Sequence, residues 1–140
     1  MTPCDRMRQL LCVLLRWFSW RKFVFAGCSG YGTHALARFA MGQPRLTLIS
    51  KFYKDANLYD PPPKRRPGTN GRPRVKGRKR RSPEAVVAQT KSRQRFEVSW
   101  YGGGRREVAV VTGTAHWYKG GAGLVPVRWV FVQLIAFGEV

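Results

Sequence analysis

One stretch constrains the fold more than any other: Phe23-Val24-Phe25-Ala26-Gly27-Cys28-Ser29-Gly30-Tyr31-Gly32-Thr33-His34. Phe23 to Ala26 is a short apolar run of strand type, with basic residues before it and glycines after it. The glycines permit a sharp turn. Thr33 is placed to cap a helix over His34 to Ala40, with Ala35, Leu36, Phe39 and Ala40 as an apolar stripe. The pattern predicts strand, tight turn and helix, with Cys28 at the carboxyl end of the strand. In open α/β sheets ligands and catalytic groups gather at that end.

The flanking segments extend this unit. Thr2, Pro3 and Asp5 predict a helix start: Thr2 as cap, Pro3 in the first helical position, Asp5 completing a capping-box-like pair. The helix is expected to run to about Phe18, with apolar positions on more than one face, so that it needs cover on two sides or a partner. Leu46 to Phe52 alternates in strand fashion. Strand, helix, strand at this spacing is a βαβ unit, which predicts parallel pairing.

At Asp60 the composition changes. Pro61-Pro62-Pro63 stiffens the chain, and the run from 64 to 81 then carries Lys64, Arg65, Arg66, Arg72, Arg74, Lys76, Arg78, Lys79, Arg80 and Arg81 without one acid. Scattered Pro and Gly argue against both helix and strand ladder, so an extended, mobile, basic arm is expected. The whole chain has a net charge of +19 in 140 residues, which points to a polyanionic partner. Acid-free, arginine-rich runs bind phosphate without sequence choice, and these basic residues are the candidate DNA contacts. The plainer alternative is a solvated linker. Ser82-Pro83-Glu84 restarts a helix to about Thr90.

The last third reads as antiparallel β. Phe96, Val98 and Trp100 alternate with Glu97, Ser99 and Tyr101, and Gly102-Gly103-Gly104 turns the chain into a strand over Arg105 to Thr112. Thr114 to Tyr118 is expected as a further strand, Lys119 to Gly123 as a turn, and Val125 to Ile135 as a long apolar strand. Trp100, Tyr101, Trp117, Tyr118 and Trp129 are read as sheet packing, with base stacking as the alternative.

Cys4, Cys12 and Cys28 are odd in number, lack a CxxC pair, and give no zinc spacing with His34 and His116. They read as free thiols, His34 as a residue exposed at the turn, and His116 as structural. Phe25-Ala26-Gly27-Cys28 has the look of a lipid-attachment box, but Arg16, Arg21 and Lys22 separate it from the only short apolar run before it. No run reaches the roughly 18 apolar residues of a spanning helix. The expectation is a cytoplasmic protein without membrane contact.

Taken together, the motifs resemble the DDE-type insertion-sequence transposases of the RNase H-like class. The resembling pieces are Gln9-Leu10-Leu11 through Arg16-Trp17-Phe18, Phe23 to Gly27, Ser29 to Ala40, Leu46 to Phe52, Asp55 to Tyr59, Pro61 to Arg66, Gly71-Arg72-Pro73-Arg74-Val75-Lys76-Gly77, and Val125 to Val130. The resemblance implies cutting and joining of transposon ends by two Mg²⁺ ions on two Asp and one Glu, the cations stabilising the attacking and leaving oxygens. In the family pattern the second Asp ends the central strand; here Cys28 stands in that place. The other two acids are expected outside residues 1–140, and Gln133 to Val140 departs from the pattern. A thiol is a poor Mg²⁺ ligand. Asp55 and Asp60 are the nearest substitutes but read more simply as loop residues beside the proline run.

The resulting expectation is an α/β chain: a partial RNase H-like βαβ core (1–58), a disordered basic arm with a short helix (59–95), and a β-rich antiparallel insertion (96–140). Its function is that of a DDE transposase fragment with non-specific DNA binding, no intact catalytic residues, no cofactor of its own, and poor solubility from the unpaired edge of the Phe23 strand. The alternative is a small basic RNA-binding or ribosome-associated structural protein.

Overall fold

The computed structural model describes residues 1–135. It is a mixed α/β structure with three helices and two sheets. Helix α1 spans Pro3–Trp17, and the Thr2 hydroxyl accepts from the Asp5 N–H while the Asp5 carboxylate accepts from the Thr2 backbone N–H, a complete capping box. At its other end Arg45 donates to the carbonyls of Leu15 (2.5 Å), Phe18 (2.8 Å) and Arg21 (2.8 Å). A cation thus closes the helix where free carbonyls collect.

Strand β1 is Phe23–Gly27 and β2 is Leu46–Ser50. They pair in parallel, Phe23 opposite Leu46 and Gly27 opposite Ser50, with helix α2 (His34–Met41) crossing between them. Thr33 caps α2 by accepting the Leu36 N–H at 3.3 Å. β2 stops at Ser50, two residues short of the expected Phe52, whose ring turns away to meet Trp117. Phe23, Phe25, Leu46 and Leu48 alternate onto one face, where Leu11 and Leu15 of α1 and Leu36 of α2 cover them. Each such leucine contributes about 1.5–3 kcal/mol by burial. The other face keeps Val24 (69% exposed) and Ile49 (55%) in solvent.

The second sheet is antiparallel and built on one long strand, β5 (Arg105–Lys119). The expected break before Thr114 does not occur: Gly113 lies under the Trp129 ring, opposite it in the register, and the ladder runs through. Strand β6 (Gly123–Leu134) pairs along one side of β5, Val108 opposite Leu134 and Lys119 opposite Gly123. On the other side lie β4 (Gln94–Ser99) and the two-residue β3 (Leu58–Tyr59), at opposite ends of β5. Pro126 sits on the outer strand β6, where a missing N–H is tolerated. Helix α3 (Pro83–Gln89), capped by Ser82, lies over this sheet, and Ala56, Leu58, Val111 and Trp129 form its core.

His34 ties the two halves together. It is 4% exposed, not open at the turn as expected. Its Nε2 lies 3.1 Å from the Trp117 carbonyl, and its ring meets the Trp117 indole edge-on at 5.0 Å. A carbonyl only accepts, so Nε2 carries the hydrogen. Arg38 adds a bond to the Ala122 carbonyl at 2.6 Å. The aromatics divide: Trp129 is buried and Trp117 packs, as expected, whereas Tyr101 is 91% exposed at the tip of the β4–β5 turn. The departing run Gln133 to Val140 lies outside the described residues from 136 onward.

Candidate nucleic-acid interface

The basic run has more order than the sequence suggested. Residues 61 to 75 are all exposed and form no strand or helix. The chain after them returns to β3 and adds to its free edge. Asp60 N donates to the Arg78 carbonyl (2.9 Å), Gly77 N to the Asp60 carbonyl (2.9 Å), and Arg80 N to the Leu58 carbonyl (2.7 Å). Tyr59 and Lys79 form an antiparallel bridge. The expectation of an arm with no ladder is therefore corrected over residues 77–80. Backbone pairing needs no particular side chain, so the Pro/Gly-rich composition concealed it.

The segment is thus a loop closed at its base. A turn shapes its tip: Thr69 N and Oγ1 both donate to the Arg66 carbonyl, Pro67 and Gly68 occupy the corner, and Gly68 has φ +81°. Arg65 donates across the tip to the carbonyls of Thr69 (2.6 Å) and Gly71 (2.9 Å).

The cations have unequal surroundings. Arg80 pairs with Asp60 at 3.1 Å, and Arg81 bonds Gln89. Lys76 Nζ lies 4.4 Å from the centre of the Tyr59 ring and 4.0 Å from that of Tyr118, and donates to the Tyr59 hydroxyl at 3.4 Å. Lys64, Arg66, Arg72, Arg74, Arg78 and Lys79 have no side-chain partner among the described residues and stand in solvent. Unpaired, exposed guanidinium and ammonium groups on one loop are suited to phosphate oxygens. The Tyr59–Lys76–Tyr118 cluster went unrecognised in the sequence; a tyrosine before the proline run and one in a strand gave no reason to meet.

The turn after β1 presents different chemistry. Cys28 is exposed and free. His34 is turned to Trp117, so no base stands by the thiol from that quarter. Cys4, from the first turn of α1, bonds the Gly30 carbonyl at 3.2 Å and accepts from Thr33 Oγ1 at 3.6 Å. The acids are dispersed. Asp5 is held by Thr2, and Asp60, Glu84, Glu97 and Glu107 each pair with a base. Asp55 is left in a loop, and no three His, Cys, Asp or Glu side chains among the described residues are grouped to hold an ion. This donor set does not fit a pair of Mg²⁺ ions, which need clustered carboxylates.

These features, a parallel βαβ unit with a sheet-edge turn and a basic loop on an adjoining sheet, describe a mixed α/β protein suited to a polyanion. The family described as DDE superfamily endonuclease matches residues 5–107, and the chain belongs to it. That family is of transposase and endonuclease type, and its substrate is nucleic acid. No curated protein and no solved structure matches the chain. No helix among the described residues is long and apolar enough to cross a membrane.

Proposed function

We propose that this chain is a DNA-binding portion of a DDE-type insertion-sequence transposase that does not cut DNA by itself. Residues 1–58 are read as part of an RNase H-like core, 59–95 as the DNA-contacting arm and its helix, and 96–140 as an antiparallel insertion, in a cytoplasmic protein. The observation that carries the binding is the set of unpartnered cations at Lys64, Arg66, Arg72, Arg74, Arg78 and Lys79 on one exposed loop and its base. Each neutralised phosphate releases counterions, so log K should fall against log[salt] with a slope of about −0.9 per contact, or about −5 for the set. Catalytic inactivity is supported by the scattered acids and by Cys28 in the place where the resemblance puts an Asp.

The test is fluorescence anisotropy of a short duplex of arbitrary sequence across a salt series, with plasmid nicking in Mg²⁺ or Mn²⁺ alongside. Binding with a steep salt slope and no nicking is expected. Metal-dependent nicking lost on changing Cys28 or Asp55 would overturn the inactivity, and salt-independent binding would overturn the mode of contact.

A further inference from the structure

We propose that the basic loop is a preset finger whose base is locked by Lys76, Gly77 and Arg80, so that Arg65, Lys76 and Arg80 position the loop while its six unpartnered cations meet the phosphates of duplex DNA. The inference rests on the DNA-binding reading above and deepens it.

The division follows from the contacts. Gly77 admits no side chain: a Cβ there would lie 2.4 Å from the Pro61 carbonyl oxygen and 2.8 Å from that of Asp60, both rigid backbone atoms. The two limbs of the loop therefore touch at its base. Lys76 is held between two tyrosine rings, one on β3 and one on β5, so the limb is fastened to two strands of the sheet. Arg80 is bound to Asp60 just before the first proline. Lys76 is thus drawn away from the solvent, and the charge of the half-exposed Arg80 is offset by Asp60. Arg65 likewise serves the tip from inside. A loop closed at its base and braced at its tip keeps its remaining cations together before the ligand arrives. Most of the ordering that a floppy arm undergoes on binding is then already complete. The family's substrate is nucleic acid, and the transposase reading above makes duplex DNA the polyanion.

Charge and position can be separated by experiment, because Gly77→Ala removes no charge. Anisotropy against salt is measured for the full chain and for Arg72→Ala, Gly77→Ala, Lys76→Gln and Lys76→Arg. Arg72→Ala should make the slope shallower by about 0.9. Gly77→Ala and Lys76→Gln should weaken binding roughly five- to tenfold at unchanged slope, on the order of a factor that preorganisation supplies. Lys76→Arg, which keeps a cation over the rings, should bind like the parent chain. Trypsin cleavage after Arg78, followed without DNA, should quicken in Gly77→Ala. Parent-like binding and cleavage in Gly77→Ala, or a Lys76→Gln slope that falls as in Arg72→Ala, overturns the locked base alone. A parent chain that binds no duplex overturns the DNA-binding reading, and cleavage then decides whether the base is locked. Tighter binding to an RNA duplex than to DNA overturns the choice of partner.

Discussion

His34 shows how much one side chain can join. It begins α2, yet its imidazole lies under the antiparallel sheet and donates to a carbonyl 83 positions away in the chain. Its Nδ1 is buried with no partner among the described residues, where the site is held by one directed bond and by ring packing against Trp117. Replacing His34 with Leu should keep the volume and lose the bond, destabilising by about 1–2 kcal/mol. His34→Ala adds a cavity and should cost about 2–4 kcal/mol. Urea unfolding followed by far-UV circular dichroism gives both values; an unchanged midpoint for His34→Ala would show that the junction contributes nothing. Nothing local signals this bond, because a histidine after a helix cap reads as solvent-facing unless the distant strand is known. Cys28 contrasts with it: its place at a strand end was legible from local glycine and apolar pattern alone.

At the scale of elements, the helix starts were legible because their signals are local. Thr2, Thr33 and Ser82 each accept the N–H three residues on, an arrangement written into adjacent residues. The cap on α1 has a pH consequence. The Thr2 hydroxyl, followed by its backbone N–H, holds the Asp5 carboxyl below the usual carboxylate range. A carboxyl whose folded pKa lies below its unfolded value stabilises above the unfolded value and loses that effect as pH falls through the folded one. Helicity should therefore decline in acid, and Asp5→Asn should remove part of that decline in far-UV circular dichroism. Identical acid profiles for the two chains would count against the cap. The strands were less legible. β5 was expected as two pieces because Gly113 interrupts its apolar alternation, but the glycine serves the Trp129 ring across the ladder. The pairing of residues 77–80 with β3 was hidden for a related reason: main-chain bonds leave little trace in composition.

Across the whole molecule, apolar surface remains uncovered. Leu10, Val13, Leu14 and Trp17 project from the outer side of α1, and Val24 and Ile49 from the uncovered face of the parallel pair. Val130, Val132 and Leu134 do the same on β6, the outer strand of the second sheet. Parallel sheets are ordinarily covered on both faces, and open strand edges recruit other strands. At moderate salt the chain should elute from gel filtration well ahead of its 16.0 kDa monomer. The pair Leu10→Glu and Trp17→Glu should move it towards the monomer position; a sharp monomer peak from the parent chain would contradict this. The closed base of the finger carries a different implication, for heritable change. Because its two limbs meet at Gly77, the residues between them make a self-contained excursion whose length the sheet does not register. Doubling such an excursion costs only about 0.6 kcal/mol in closure entropy. Insertions and deletions there are nearly neutral to folding, so the excursion can change in length and charge from one descendant to the next while the scaffold stays still.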